Sequence, residues 1–367
     1  MLAVMLAHGA HDVFASFAIS VDLFFVVSGF LITTLLLEEQ RASGGIALKP
    51  FFARRALRLL PLMYLVLALT MVTALLVGSS ELIRETLSDV IAGGTYTYHV
   101  VHPVGAEMVK GGYPETRPLV QLWSLSVEEH FYVVVVIALL FVLGRKHARN
   151  AVYAMIAVCV AAVLFIGGAR LTGHVGPFLA WYQRPDALLV GVVLAFFNAH
   201  LPPELPKKVS LWLRRGALPA AIIGGFITFL GTGFAKPFGL FVPWNPVEGG
   251  SLTDGWYWGR FGYSTVTLCA AFVTLSVARV PEGPLARFLS WKPILAVGRR
   301  SYAIYLIHVP LAIMLEAAFG KSAPALAALL YLPLLVLLVE CAHKLVEKPI
   351  GRWRARLNSP NAAATGR

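Results

Sequence analysis

A chain of 367 residues that is 58% hydrophobic and 14% charged, with a mean hydropathy of +0.73, cannot cover a soluble globule with polar groups. Its formal charge of +12 and pI near 9.8 would suit nucleic acid, but the basic residues sit in short stretches between apolar runs rather than along one face. Membrane topology explains that charge, no nucleic-acid partner is expected, and the composition is that of an integral membrane protein.

Apolar runs long enough, or nearly so, to cross about 30 Å of hydrocarbon recur along the chain. They predict an all-α integral membrane protein of about ten transmembrane helices in a single bundle. The runs cover residues 1–18, 21–37, 59–78, 119–143, 151–168, 185–199, 216–233, 261–279, 297–318 and 324–343. If the N-terminus is cytoplasmic, the loops on that side hold Arg41 to Arg58, Arg145 to Arg149, Lys207 to Arg215, Arg279 to Arg300 and the basic C-terminal stretch, which together carry most of the 31 Lys and Arg. The positive-inside rule therefore puts both N- and C-termini in the cytoplasm. Stretches 79–118 and 234–260 read as outside loops rich in Gly, Pro and aromatic residues, too short to be domains. The domain reading is one membrane domain over 1–357 and a polar, disordered tail over 358–367. Cys159, Cys269 and Cys341 fall within predicted spans as small core residues. No His, Asp and Glu set has ligand spacing, so no metal is expected. No cleavable signal peptide is expected either, since Met1 opens directly onto apolar sequence.

A charged cluster interrupts this pattern. Trp123-Ser124-Leu-Ser126-Val-Glu128-Glu129-His130-Phe-Tyr132 runs straight into Val133 to Val142. Ionisable groups at the mouth of a membrane helix are costly unless they are partnered or face water, so they read as functional. The structural alternative is a helix start with Ser124 or Ser126 as N-cap and glutamates in the first turn. Glu128 and Glu129 are adjacent, point to different helix faces and cannot form a paired-carboxylate dyad.

His8, Asp22-Leu-Phe-Phe-Val-Val-Ser28-Gly29-Phe30, and Phe51-Phe-Ala-Arg54-Arg55-Ala-Leu-Arg58-Leu-Leu-Pro61 resemble the opening of the acyltransferase type 3 family of bacterial membrane O-acyltransferases. Further landmarks follow in the family's order: Trp123 to Glu129, Arg184-Pro-Asp186-Ala-Leu-Leu-Val-Gly191, Gly298-Arg-Arg-Ser301-Tyr302-Ala-Ile-Tyr305-Leu-Ile-His308 and Glu347-Lys348-Pro349. The similarity spans nearly the whole chain. It implies transfer of an acyl group, commonly acetyl, from cytoplasmic acetyl-CoA or another acyl-CoA to a hydroxyl of a sugar, cell-envelope glycan or small molecule, in the bacterial cytoplasmic membrane. A secondary transporter is the competing class, disfavoured because no internal repeat is found.

The resemblance and the residues together suggest roles. Acyl transfer to an alcohol needs a base near neutral pH, and His8, fourteen residues before Asp22, keeps the family's spacing; His11 is a weaker choice. Arg54, Arg55 and Arg58 suit the phosphates of coenzyme A, against the plainer reading of an anchor to anionic lipid; Arg299 and Arg300 are weaker candidates for the same work. Glu128 orients the imidazole or an acceptor hydroxyl, Trp123 stacks on a sugar, and Asp22, Ser28, Ser124 and Glu129 bind substrate or support the site. Arg184 and Asp186 form a structural ion pair, with each other or across helices. Ser301, Tyr305 and His308 make a polar stripe beside Tyr302; His308 is a second candidate for proton transfer, with hydrogen bonding between helices as its alternative.

The family pairs its histidine with a basic residue eleven positions upstream, which here falls before Met1. The first run is also short for a span. The expectation is that the given start is internal, the alternative being an inactive copy.

Overall fold

The structure, a computed structural model, describes residues 19–102, 117–143, 148–172, 185–243, 257–319 and 323–357. Every regular element among them is helical. Eight of these helices are long and apolar enough to cross a membrane, and Asp186–His200 is a shorter apolar helix of 15 residues. The predicted run 1–18 and the tail 358–367 lie outside the described residues.

In chain order the helices are α1 (Ser20–Ser43), α2 (Leu48–Val77), α3 (Ser80–Gly94), α4 (Tyr98–Val101), α5 (Leu122–Leu143), α6 (Ala148–Leu171), α7 (Asp186–His200), α8 (Lys207–Leu230), α9 (Trp258–Arg279), α10 (Pro284–Leu289), α11 (Lys292–Arg299), α12 (Ser301–Phe319), α13 (Pro324–Ala342) and α14 (Lys348–Leu357). A π-helical turn, His343–Glu347, joins α13 to α14. The stretch 79–118 is thus not the plain loop expected from composition. Ser79 caps α3, its hydroxyl accepting from Leu82 N at 3.2 Å, and that cap starts a helix too charged to read as a span.

The chain divides into two compact units, one built on residues 1–46, 102–113 and 124–295, the other on 47–101, 114–123 and 296–367. In the first, α1 packs against α7 with almost no side chain between them. A Cβ on Gly29 would lie 2.3 Å from the Leu188 carbonyl oxygen, and one on Gly191 would lie 2.4 Å from that of Val26. Small residues allow this approach in a medium where packing, not the hydrophobic effect, holds helices together. α1 ends at Gly44, whose left-handed φ of 73° lets its N–H reach the Gln40 carbonyl at 2.9 Å.

In the second unit α12 packs against both α2 and α13, and polar side chains reinforce the packing. Tyr302 Oη donates to the Leu59 carbonyl at 2.8 Å, Tyr331 Oη to that of His308 at 3.2 Å, and Arg300 pairs with Glu340. Outside the spans, Asp89 on α3 is buried and takes hydrogen bonds from Arg117 Nη1 (2.8 Å), Tyr98 Oη (3.1 Å) and Leu119 N (3.2 Å). Burial pushes its carboxyl up to about 6, against the pull of Arg117 and the other donors.

Cys159 is buried and Cys269 half-buried, but Cys341 is exposed, contrary to the expectation that all three are core residues. It sits on the outer side of α13, on the wall of an apolar groove between α2, α12 and α13.

Candidate active site

α5 begins at Leu122, after a turn over 118–121, so Ser124 and Ser126 are buried inside the helix and neither is its N-cap. This corrects the helix-start reading and carries Glu128 into the second turn. There its carboxylate is half-buried and faces α1. Glu128 Oε1 accepts hydrogen bonds from Ser28 Oγ on α1 and from Tyr132 Oη one turn further along α5. Two hydroxyl donors on one oxygen hold the carboxylate in a fixed orientation. Sequence reasoning gives Tyr132 no role, although its position four residues after Glu128 places it on the same face. Glu129 is half-buried, and His130 is exposed. Trp123 is buried at the start of α5, where the chain passes from the second unit to the first.

The second unit holds a polar cavity of about 300 Å³, lined among others by Arg58, Arg299, Ser301, Tyr302, His343 and Glu347. Its two guanidinium groups come from about three turns into α2 and from the end of α11, and both are exposed. His343 Nδ1 and Glu347 Oε2 lie 2.9 Å apart across the π-helical turn, an irregularity often found at functional positions. Arg54 and Arg55, grouped with Arg58 by sequence, are not among the lining residues. Arg299, the weaker candidate, is.

The polar stripe of α12 divides. Ser301 and Tyr302 face the cavity, Tyr305 Oη donates to the Gln121 carbonyl, and His308 is buried. His308 Nδ1 lies 2.8 Å from the Tyr305 carbonyl oxygen and 3.1 Å from that of Ile304. Carbonyls only accept, so Nδ1 carries the proton and is spent on its own helix.

Asp186 pairs across helices with a residue that sequence reasoning missed. Arg170, at the end of α6, meets it bidentately, Nη1 to Oδ2 at 2.6 Å and Nη2 to Oδ1 at 3.0 Å, both side chains almost fully buried. The Tyr263 ring lies 5.2 Å from the guanidinium. An arginine at the end of an apolar run was the available signal. Asp22 is buried on α1. His8, His11 and Arg184 lie outside the described residues. Among the described residues no three His, Cys, Asp or Glu side chains are grouped as metal ligands.

Fold and sequence together define a multi-pass, all-helical membrane protein with a fixed carboxylate in one unit and an arginine-lined cavity in the other. Residues 1–339 match the acyltransferase domain, and the chain belongs to that family, acyltransferase type 3. It is 30% identical over 336 residues to the O-acetyltransferase OatA of Staphylococcus aureus strain NCTC 8325, covering 90% of this chain and 52% of that protein. It is 26% identical, with the same coverage, to a putative O-acetyltransferase of Staphylococcus aureus strain COL. The chain thus spans about half the length of the curated relatives it matches. No solved structure matches it.

Proposed function

We propose that the chain is an O-acyltransferase of the bacterial cytoplasmic membrane that moves an acyl group, commonly acetyl, from cytoplasmic acyl-CoA to a hydroxyl of a cell-envelope glycan. Membership of the acyltransferase family and likeness to proteins named O-acetyltransferase support the reaction class. The observation that carries the donor assignment is Arg58 and Arg299 on one cavity of about 300 Å³. Guanidinium groups bind phosphate with a two-pronged fork, and the donor carries a diphosphate and a 3′-phosphate.

In this reading His8 takes the proton of the acceptor hydroxyl as its oxygen attacks the thioester carbonyl. The carbon–sulfur bond then breaks, and the imidazolium returns the proton to the departing thiolate. The same residue could instead receive the acyl group first and pass it on. Glu128 is a positioning residue. Both of its hydrogen bonds fall on Oε1, which leaves Oε2 to orient the imidazole or the acceptor.

The test is release of free thiol from acetyl-CoA by the purified protein against a panel of glycan acceptors. Acceptor-dependent release should fall by about 10²- to 10⁴-fold in His8→Ala, the usual contribution of a general base. Arg58→Gln should chiefly raise KM for acetyl-CoA. Release that His8→Ala leaves unchanged overturns the base assignment, and a protein that neither binds acetyl-CoA nor releases thiol overturns the enzyme reading.

A further inference from the structure

The polar cavity does not end at its arginines. Leu62 and Val346 line both it and a second, apolar groove of about 320 Å³, so one site passes into the other across shared walls. The groove runs between α2, α12 and α13. Leu62, Val66 and Met314 form a buried floor, whereas Leu65, Leu69 and Leu345 are exposed along its edges. It therefore opens sideways, toward what surrounds the membrane helices.

We infer that cavity and groove together bind one membrane phospholipid with an anionic headgroup, its phosphate between Arg58 and Arg299 and one acyl chain along the groove. Three observations point to a lipid as occupant. The charged end lies where α11 meets α12 and about three turns into α2, and the apolar end runs on from it along α2, α12 and α13, the polarity order of a lipid in a leaflet. The groove wall from Leu62 to Thr73 runs for about 16 Å at the α-helical rise of about 1.5 Å per residue. That is close to half of the about 30 Å hydrocarbon core, the depth of one leaflet. Finally, two guanidinium groups face the cavity, while the one carboxylate among its described lining residues, Glu347, is engaged with His343. Basic pockets of this kind between membrane helices select anionic headgroups. The lipid site stands independently of the acyltransferase reading. Only one consequence rests on that reading: lipid and acyl-CoA compete for the same arginines.

The experiment reconstitutes the full chain in vesicles of equal parts phosphatidylglycerol and phosphatidylcholine, re-extracts it in mild detergent and counts the lipid retained. The wild type should hold phosphatidylglycerol several-fold over phosphatidylcholine. Arg299→Gln should bring that ratio near one, and Leu69→Trp, which fills the groove from an exposed position, should lower the lipid retained while the melting temperature holds. A wild-type ratio near one, or a ratio unmoved by Arg299→Gln, overturns the site. Displacement by inorganic phosphate alone would reduce it to a bare anion site and overturn the groove's part. If phosphatidylglycerol is retained but acetyl-CoA does not displace it, the lipid site stands and the placement of the donor at these arginines falls.

Discussion

Gln121 Nε2 donates to the Leu306 carbonyl oxygen at 3.2 Å, the acceptor that Pro310 strands four residues later in α12. A proline has no N–H to give to residue i−4, and in a membrane the freed carbonyl must find another donor. Tyr305 Oη returns a bond to the Gln121 carbonyl, so the residue just before α5 is tied to α12 at both ends.

Gln121→Leu should therefore cost about 1 kcal/mol, the scale of a hydrogen bond between side chain and backbone inside a membrane protein. In a Pro310→Ala background the alanine N–H can serve Leu306 itself, and the cost of Gln121→Leu should shrink toward zero. Thermal unfolding of the four variants in detergent checks this. Equal costs in both backgrounds would refute the pairing of donor and stranded carbonyl.

The buried ion pair between Arg170 and Asp186 sets a second expectation. Removing one partner leaves the other charged without compensation, so Arg170→Gln should destabilise by about 3–5 kcal/mol. Replacing both, Arg170→Met with Asp186→Leu, should recover much of that loss. A double variant no more stable than the worse single one would mean that the pair organises more than its own charges.

Much of this architecture is legible in the chain. The spans follow from apolar length, and Ser28, Gly29, Glu128 and Gly191 stand in motifs that the sequence itself displays. Which motif meets which is not legible. Ser28 and Glu128 are a hundred residues apart, a separation that no local periodicity bridges. Asp186 could be matched to Arg184 or to a partner across helices until Arg170 is placed against it. Helix α3 escapes because Glu81, Arg84, Glu85 and Asp89 keep it from reading as a span. The groove escapes because its residues satisfy the same apolar pattern as any lipid-facing helix.

The packing of α1 on α7 gives a third test. In Gly191→Ala the new methyl would meet backbone, the Val26 carbonyl oxygen at 2.4 Å and Phe30 N at 2.7 Å, which no rotamer change relieves. The helices must separate, at a cost of about 1–3 kcal/mol. Gly225→Ala on α8, where nothing lies within 4 Å, should be neutral or stabilising because alanine is the better helix former. A Gly191→Ala protein that melts with the wild type would disprove the close contact.

Asp89 predicts a pH dependence whose sign is opposite to that of an ordinary ion-paired carboxylate. Its folded value is raised by burial from 3.8 to about 6, so the folded state binds the proton more tightly than the unfolded one. The stabilisation from that proton is complete below about 3.8 and is lost as pH rises through about 6. Asp89→Asn keeps a hydrogen-bonding group without the charge and should remove this dependence. Arg117→Gln deletes the charge that pulls the carboxyl down, so in that variant the loss should move to higher pH. Melting temperatures between pH 4 and 8 for wild type and both variants decide the point. A wild type that gains stability relative to Asp89→Asn as pH rises through 6 would show that Arg117, rather than burial, governs the carboxyl.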